Sequence, residues 1–333
     1  MNDCPVILIC YNRPRHTAQV LDALKRHNIQ NLYIFSDATK TEHDMQGVLD
    51  TRDLLENIDW TTADITYQKE NQGLAKSIVG ACNYVFQKYD RLILLEDDCV
   101  PQEYFFDFMH ECLNRYEHDE RIFGVSGYTV PIPEQILVSY AYDNYFFPRI
   151  GSWGWATWKR AWDCLGNDLE LLAKMLLDKG IDLNQGGSDI PVMVDLLLKG
   201  ELNDVWTLPW VLTVYLHGGC YVYPTRAHID NIGMDGSGVH CGATDKFISP
   251  AALGKPVNFA NEMFFDADIV TNFKSFYDIP KLETEDSDSD CAELIQQEMQ
   301  PLVNNVHESN LDINKSLFSR VAQCFLKPKR DNN

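Results

Sequence analysis

The sequence predicts an α/β fold in which a mostly parallel sheet is flanked by helices and followed by a mainly helical second half. In the first 130 residues, short apolar runs alternate with longer segments whose apolar residues recur at helical spacing. Runs that are apolar without interruption are typical of strands buried on both faces. Strands that alternate with helices form right-handed βαβ units, and such units build a parallel sheet.

Each element of the first half is predicted from a local pattern. The run LILL at residues 92–95 is the strongest strand signal, and the spacing of Val20, Leu21 and Leu24 marks one face of the first helix. Strands are predicted at residues 5–10, 32–35, 65–67, 92–95 and 122–125, and helices at residues 15–27, 43–57, 74–86 and 105–116. Sheets of this kind bind ligands at the carboxyl ends of their strands, so polar residues at those ends are candidates for a site.

The second half is less regular and holds six of the seven Trp residues. Apolar spacing predicts helices at residues 168–178, 189–199 and 206–217, followed by a short strand at 220–223 and a Gly-rich loop at 231–242. These patterns suggest that the chain has three parts. Residues 1–130 are the regular α/β half, residues 131–280 are the second half of the same domain, and residues 281–333 are a tail.

The tail is expected to contain a linker and a helix. Residues 283–293 include six acidic side chains and few apolar ones, which is typical of an exposed linker. Residues 311–330 place Leu317, Phe318 and Val321 on one face of a helix with basic residues nearby. This amphipathic basic helix is predicted either to touch an anionic membrane surface weakly or to pack on the domain.

Composition narrows the classes of function and location. The chain carries 28 basic and 49 acidic residues, a net charge of −21, which argues against a nucleic-acid partner because such binding needs a basic surface. No apolar run is long enough to span a bilayer, and the N-terminus lacks the pattern of a cleaved signal, so a cytoplasmic location is predicted. The ten cysteines show no CxxC pair and are expected to be free thiols.

Polar residues follow three of the predicted strands. Residues 11–13 (Tyr-Asn-Arg), 36–37 (Ser-Asp) and 96–98 (Glu-Asp-Asp) fall where those strands end, and we expect them to meet at one edge of the sheet. The adjacent carboxylates of residues 96–98 repel one another unless a cation or hydrogen-bond donors neutralise them. Carboxylates suit Mg²⁺ and Mn²⁺, which bridge protein carboxylates to substrate phosphates. The alternative is an ordinary solvated acidic turn.

Three further segments contain candidate ligand contacts. Asn71 and Lys76 lie at the start of the predicted helix at 74–86, where backbone N–H groups favour anions. Trp153 and Trp155 are interleaved with glycines, so their rings could line a sugar-binding cleft or pack in the core. His240 ends the Gly-rich loop and is a candidate metal or phosphate ligand, with a structural role as the alternative.

Taken together, these motifs resemble glycosyltransferases of the GT-A fold, in particular N-acetylglucosaminyltransferase I and related bacterial sugar transferases. The resemblance covers about residues 5–242. It includes VILICYNR at 6–13, IFSD at 34–37, LILLEDDCVP at 92–101, GSWGWATWKRAW at 151–162 and NIGMDGSGVHC at 231–241. The acidic triplet takes the place of the DXD-type motif of these enzymes.

This resemblance implies a metal-dependent transfer of a sugar from a UDP-linked donor to a glycan or lipid-linked glycan, with inversion at the anomeric carbon. By position, Asp98 would bind Mn²⁺ or Mg²⁺, Asp97 would contact the ribose or the metal's waters, and Glu96 would face the donor sugar. Arg13 would lie beside the nucleotide, and Asp37 would accept a hydrogen bond from the uracil N–H.

The general base departs from the pattern of the resembled enzymes. An inverting transferase needs a carboxylate to deprotonate the acceptor hydroxyl, and these enzymes carry it in a Trp-Asp pair. Here Thr207 follows Trp206 where the acid is expected. Asp204 and Asp235 are the nearest candidate replacements, although Asp204 could equally be a helix cap and Asp235 could position the acceptor or the loop.

Two other functions remain open at this point. A sugar nucleotidyltransferase would need a Gly-rich, basic loop after the first strand, and residues 11–14 read Tyr-Asn-Arg-Pro instead. A nucleotide-sugar-binding or regulatory module on a degenerate transferase fold is the second alternative, and the missing Trp-Asp acid keeps it open.

Overall fold

An eight-stranded sheet forms the centre of the protein. The structure is a computed structural model, and it describes residues 4–202, 204–236 and 244–278. Ten strands are present in this part of the chain, eight in the central sheet and two in a small second sheet. They are β1 (Val6–Cys10), β2 (Leu32–Ser36), β3 (Asp64–Tyr67), β4 (Arg91–Glu96), β5 (Cys99–Pro101), β6 (Ile122–Ser126), β7 (Asn144–Phe147), β8 (Trp155–Trp158), β9 (Cys220–Pro224) and β10 (Ile229–Asn231).

The central sheet is mostly parallel, as the sequence predicts. Its strand order is β3-β2-β1-β4-β8-β6-β9-β7. The first four strands in this order run parallel to one another, and β8 and β7 are the two that run in the opposite direction. The strands β1 and β2 are buried along their whole length, which explains why their sequences are apolar without alternation. The predicted α/β fold class is confirmed.

Helices connect the strands and pack on the sheet. They are α1 (Pro14–Arg26), α2 (Met45–Glu56), α3 (Leu74–Val85), α4 (Phe105–Arg115), α5 (Glu134–Ser139), α6 (Lys159–Trp162), α7 (Leu169–Asp178), α8 (Asp189–Leu198), α9 (Thr207–Leu216) and α10 (Ala267–Phe276). Each longer helix buries one stripe: α1 buries Val20, Leu21 and Leu24, the residues that predicted it. Pro14 begins α1, where its missing N–H costs no hydrogen bond.

Strands from the second half complete the same sheet. The strand β8 pairs with β4 on one side and β6 on the other, while β9 and β7 extend the sheet beyond β6. Neither β7 nor β8 is predicted from the sequence, and the Trp residues of β8 were interpreted as part of a binding cleft or of a core cluster. Helical residues outnumber strand residues in the described part of the second half, as expected, and residues from both halves share one sheet.

An aromatic core lies beneath the second half of the sheet. Trp155 stacks on Trp206 with ring centroids 5.0 Å apart and on Trp162 at 5.9 Å, and Trp210 packs against Trp162. Trp210 donates its ring N–H to the hydroxyl of Tyr221, so its polar atom is satisfied. Burying rings of this size gives a large hydrophobic contribution to stability.

The seven cysteines that can be described are free, as the spacing predicts. Across the described residues, no helix has the length and apolar character that crossing a bilayer requires. The predicted acidic linker (283–293), the predicted basic helix (311–330) and His240 lie outside the described residues.

Candidate functional site

The three polar signatures meet at one edge of the sheet, as predicted. The strand β1 lies between β2 and β4, with Cys10 opposite Ser36 and Ile9 opposite Glu96. Because these strands are parallel and in register, the residues that follow them emerge side by side. The backbone N–H of Tyr11 lies 3.4 Å from a carboxylate oxygen of Asp97, which ties the first and third signatures together.

Arg13 holds two of the three acidic residues. Its Nη2 donates to Asp97 and, at 2.8 Å, to Oδ2 of Asp98. The side chains of Arg13, Asp97 and Asp98 are only 18%, 6% and 14% exposed, respectively. Buried carboxylates need a positive partner, and the guanidinium supplies it to both. Arg13 comes from the short connection between β1 and α1, so the fold brings it to the end of β4.

The acidic cluster shifts the pKa values of its members. Burial and, after it, the charges of Asp98 and Asp97 raise the pKa of Glu96 to about 8, against the lowering effect of Arg13. Burial also raises the pKa of Asp97, against the lowering effect of Arg13. Burial alone would lower the pKa of Arg13, but the two aspartates raise it above its usual value. The cluster is therefore a place where added positive charge is favoured.

The Gly-rich loop packs directly on this cluster. The strand β10 pairs with β5, which follows Asp98, and the N–H of Ile232 donates to the carbonyl of Asp98 at 2.9 Å. A Cβ on Gly233 would overlap Oδ2 of Asp98 and would lie 2.9 Å from Nη1 of Arg13. Glycine is therefore required at position 233 for the loop to approach so closely. Residues 231–236 of the Gly-rich loop thus lie against the acidic residues.

Asp235, at the end of this loop segment, lies beside α1. Its Oδ2 is 3.1 Å from Nε2 of His16, which lies one turn of helix after Arg13. The Asp235 side chain is half exposed, whereas His16 is largely covered. His16 is a site residue that the sequence analysis missed. Its one available signal is its position in the first turn of α1, at helical spacing from Arg13.

Asp37 holds neighbouring chain segments together. Its carboxylate accepts from the N–H groups of Ala38, Gln72 and Gly73 and from the side-chain amide of Asn71. Both carboxylate oxygens therefore have donors within this chain. A nucleobase N–H could reach Asp37 only in addition to these bonds or by replacing one of them.

Arg52 joins the same loops and was not predicted. It donates to the hydroxyl of Ser36 and to the carbonyls of Asp37 and Gln68, at 3.3, 3.1 and 2.9 Å. The chain positions after β2 and β3 are thus fixed relative to each other. No local sequence pattern marks such a residue, because its partners lie 15 or more positions away.

The start of α3 is bound by a second carboxylate, that of Asp204. Its Oδ2 accepts from the N–H of Leu74 at 2.8 Å and its Oδ1 from the N–H of Ala75 at 2.7 Å. The predicted donor-binding residue Asn71 precedes this helix start and donates to Asp37 and to the carbonyl of Ala38. Lys76 lies in the first turn with its side chain exposed.

The two candidate tryptophans occupy different environments. Trp153 is half-buried, with ring centroids 4.5 Å from Tyr128 and 5.3 Å from Phe247. Trp155 is 0% exposed and stacked between Trp162 and Trp206, so its ring offers no face to a ligand in this structure. Trp155 therefore packs in the core rather than in a cleft, because β8 is an internal strand that is buried along its whole length.

The donor set suits a hard cation only if the substrate supplies further ligands. Within the described residues, no group of three or more His, Cys, Asp and Glu side chains could hold a metal ion alone. The side chain of Asp98 is more exposed than that of Asp97, and its carboxylate oxygens are the kind of ligand that Mg²⁺ and Mn²⁺ prefer. Mg²⁺ commonly uses one or two protein carboxylates together with substrate phosphates and water.

Comparisons with known proteins find only distant likenesses. No protein-family model matches the chain, and no curated protein sequence matches it. HddC from Yersinia pseudotuberculosis is 13% identical over 47% of this chain and 77% of its own, with a TM-score of 0.31. A mannosyltransferase from Pyrobaculum calidifontis, in complex with GDP-Man and Mn²⁺, is 15% identical over 53% of this chain, with a TM-score of 0.31. The match spans 46% of that mannosyltransferase.

Proposed function

We propose that the protein is a metal-dependent glycosyltransferase that moves a sugar from a nucleotide-sugar donor, UDP-linked, to a hydroxyl of a glycan or lipid-linked glycan. One observation carries the proposal. A buried acidic cluster, an arginine and a glycine-dependent loop converge at the carboxyl edge of a mostly parallel sheet. Such an edge is where α/β folds bind nucleotides, and such a cluster favours a cation.

In this proposal, Asp98 holds Mn²⁺ or Mg²⁺, with His240 as a further metal or phosphate ligand. The cation would stabilise the charge that develops on the leaving diphosphate. Asp97 contacts the ribose or the metal's waters, and Glu96 faces the donor sugar. Arg13, already bound to both aspartates, fixes their positions and lies beside the nucleotide.

Between the two candidate bases, the geometry favours Asp235. Its carboxylate is half exposed, lies on the loop that packs against Asp98, and has the His16 imidazole at 3.1 Å. A base must be able to reach the acceptor hydroxyl, and an exposed loop carboxylate meets that requirement. Asp204 instead has both oxygens bonded to backbone N–H groups. We therefore propose Asp235 as the group that receives the acceptor proton.

The connection between β1 and α1 disfavours a sugar nucleotidyltransferase. Only residues 11–13 lie between the end of β1 and the start of α1. A Gly-rich phosphate-binding loop has no room there, and none of these three residues is glycine. A binding module without catalytic activity differs from the proposal only in turnover, so the experiment must measure turnover directly.

The test is metal-dependent release of nucleoside diphosphate from a panel of nucleotide sugars, with and without EDTA. We expect release with one donor, its loss in EDTA, and its loss in Asp98→Ala. Asp163→Ala is the matched control, because Asp163 is an exposed aspartate that pairs with Lys159 on α6. Triphosphate formation that requires pyrophosphate would support a nucleotidyltransferase instead. Donor binding without turnover under any acceptor would support a binding module.

A further inference from the structure

We propose that Asp204 is a positioning residue, whose carboxylate fixes the start of α3 and so sets the position of the donor-side residues that α3 and its preceding loop carry. The inference rests on the proposed function for the identity of the donor. The contact itself, and the stability it confers, do not depend on that function.

The contact satisfies backbone groups that α3 cannot satisfy itself. The first N–H groups of any helix lack partners within the helix. In α3 the residue at the N-cap is Gly73, which has no side chain to accept from them. Asp37 accepts from Gln72 and Gly73, and Asp204 accepts from Leu74 and Ala75. Two carboxylates thus take up four consecutive N–H groups, and one of them comes from a loop about 130 residues away.

The backbone on both sides is shaped to this contact. Gly73 has a φ of +75°, and a Cβ there would lie 2.8 Å from Oδ2 of Asp204. Asp204 itself has a φ of +59°, a conformation that asparagine and aspartate adopt more readily than other residues with a side chain. Both features place the carboxylate directly against the helix start.

The contact joins the two halves of the chain next to the proposed donor site. On the first-half side lie Asn71, bonded to Asp37, and Lys76 in the first turn of α3. On the other side, Trp206 follows Asp204 by two residues and is buried against Trp155. Because Trp206 anchors this loop in the core, Asp204 can hold α3 in place. A carboxylate engaged in this way does not serve as the acceptor base. Asp204 therefore does not supply the acid that is missing at position 207.

Two substitutions separate a positioning role from a catalytic one. Asp204→Asn keeps an oxygen acceptor and a residue that tolerates positive φ, whereas Asp204→Gly keeps only the backbone freedom. We expect Asp204→Gly to raise the donor KM about fivefold, with a smaller change in kcat. A fivefold change in an equilibrium constant corresponds to about 1 kcal/mol, the typical contribution of one helix cap. Asp204→Asn should restore most of the donor KM. Loss of kcat by a thousandfold or more in both variants, with an unchanged melting temperature, would overturn the proposal and make Asp204 the base.

A second measurement works even without an assay for transfer. Hydrogen exchange at the amides of Leu74 and Ala75 should be slow in the wild type and fast in Asp204→Gly. The exchange rate of Asp204→Asn should lie between these two. Equal exchange in all three proteins would refute the cap. If the wild type turned over no nucleotide sugar but exchange followed this order, the proposed function would fail and the cap would stand.

The partner glycine provides an independent check. Gly73→Ala should lower the melting temperature, because the added Cβ meets the Asp204 carboxylate and the backbone is strained at positive φ. In the Asp204→Gly background the same substitution loses the collision and keeps only the strain, so its effect should be smaller. Additive effects of the two substitutions would contradict direct contact between these residues.

Discussion

A single guanidinium links two carboxylates at the candidate site. Arg13 donates to Asp97 and Asp98, both of which are largely buried. Taking charged groups out of water is costly, and a partner of opposite charge offsets the cost only while it remains in place. Among the described residues, the ion pairs of Asp97 and Asp98 are made by Arg13, so the charge balance of this cluster depends strongly on that side chain.

Arg13→Gln should destabilise the protein by about 3 kcal/mol, because it leaves buried carboxylates without a cation. Urea denaturation in EDTA measures this loss. If the proposed function is correct, Mn²⁺ should restore more stability to the variant than to the wild type, since the metal replaces part of the missing charge. Arg121→Gln is the control, because Arg121 pairs with Asp119 on an exposed surface and such pairs contribute about 0–1 kcal/mol. Equal stabilities of Arg13→Gln and wild type would contradict this account.

A buried histidine gives the protein a specific sensitivity to acid. His228 is 3% exposed, its ring stacks on Phe108, and burial lowers its pKa to about 4. The folded pKa lies below the unfolded value of about 6.5, so the unfolded chain binds the proton more readily. Stability from this group is complete above about pH 6.5 and is lost as the pH falls towards 4.

His228→Leu should remove this part of the pH dependence. Between pH 7.5 and pH 5, the wild type should lose about 2 kcal/mol of unfolding free energy more than the variant does. Urea denaturation at the two pH values measures the difference. His43→Gln, at an exposed position, should keep the slope of the wild type. A wild-type slope in His228→Leu would show that the buried imidazole does not cause the effect.

At the scale of elements, strands and helices with a clear local pattern were predicted from the sequence. Elements whose structure depends on residues far away along the chain were missed. The strands β1, β2 and β4 are continuous apolar runs, and helix α1 buries the stripe formed by Val20, Leu21 and Leu24. The sequence therefore predicted these strands and this helix. The strand β8 was missed because its aromatic residues resemble a binding loop.

In the candidate site, too, contacts that follow from local patterns were predicted and contacts between distant residues were not. The convergence of Arg13 with the acidic triplet followed from strand ends in a parallel sheet. The pairing of Asp235 with His16 and the contact of Asp204 with α3 join residues more than 120 positions apart, and no spacing in the sequence indicates them. The burial of Trp155 follows from the internal position of β8 between β4 and β6, and the sequence does not reveal this position because both partner strands lie far away along the chain.

The loop after β10 approaches Asp98 closely at Gly233. Gly233→Ala should displace residues 231–236 from Asp98, because the new Cβ overlaps the Asp98 carboxylate. Under the proposed function, metal-dependent donor binding should weaken at least about tenfold, since the displaced loop no longer covers the cluster. Calorimetric titration with the donor and Mn²⁺ measures this. Gly80→Ala is the matched control, because a Cβ at position 80 meets nothing within 4 Å. Unchanged binding in Gly233→Ala would argue against a role for this loop at the donor.

At the scale of the whole molecule, the sheet makes the two halves of the sequence interdependent. The strand β4 from the first half pairs with β8 from the second, and β8 pairs in turn with β6. Neither half therefore has a complete sheet of its own. The Asp204 contact with α3 adds a second connection between them. Folding of one half exposes buried strand edges unless the other half folds with it.

This interdependence predicts one cooperative unfolding transition. Tryptophan fluorescence reports mainly on the second half, which holds six of the seven Trp residues, and hydrogen exchange in β1 reports on the first. The urea midpoint from fluorescence and the midpoint at which β1 amides lose protection should coincide, because removing β8 leaves Leu92, Ile93 and Leu94 at an unpaired edge. Two separated midpoints would mean that residues 1–130 form a sheet that is stable without β8, and the shared sheet would then not control the stability of the protein.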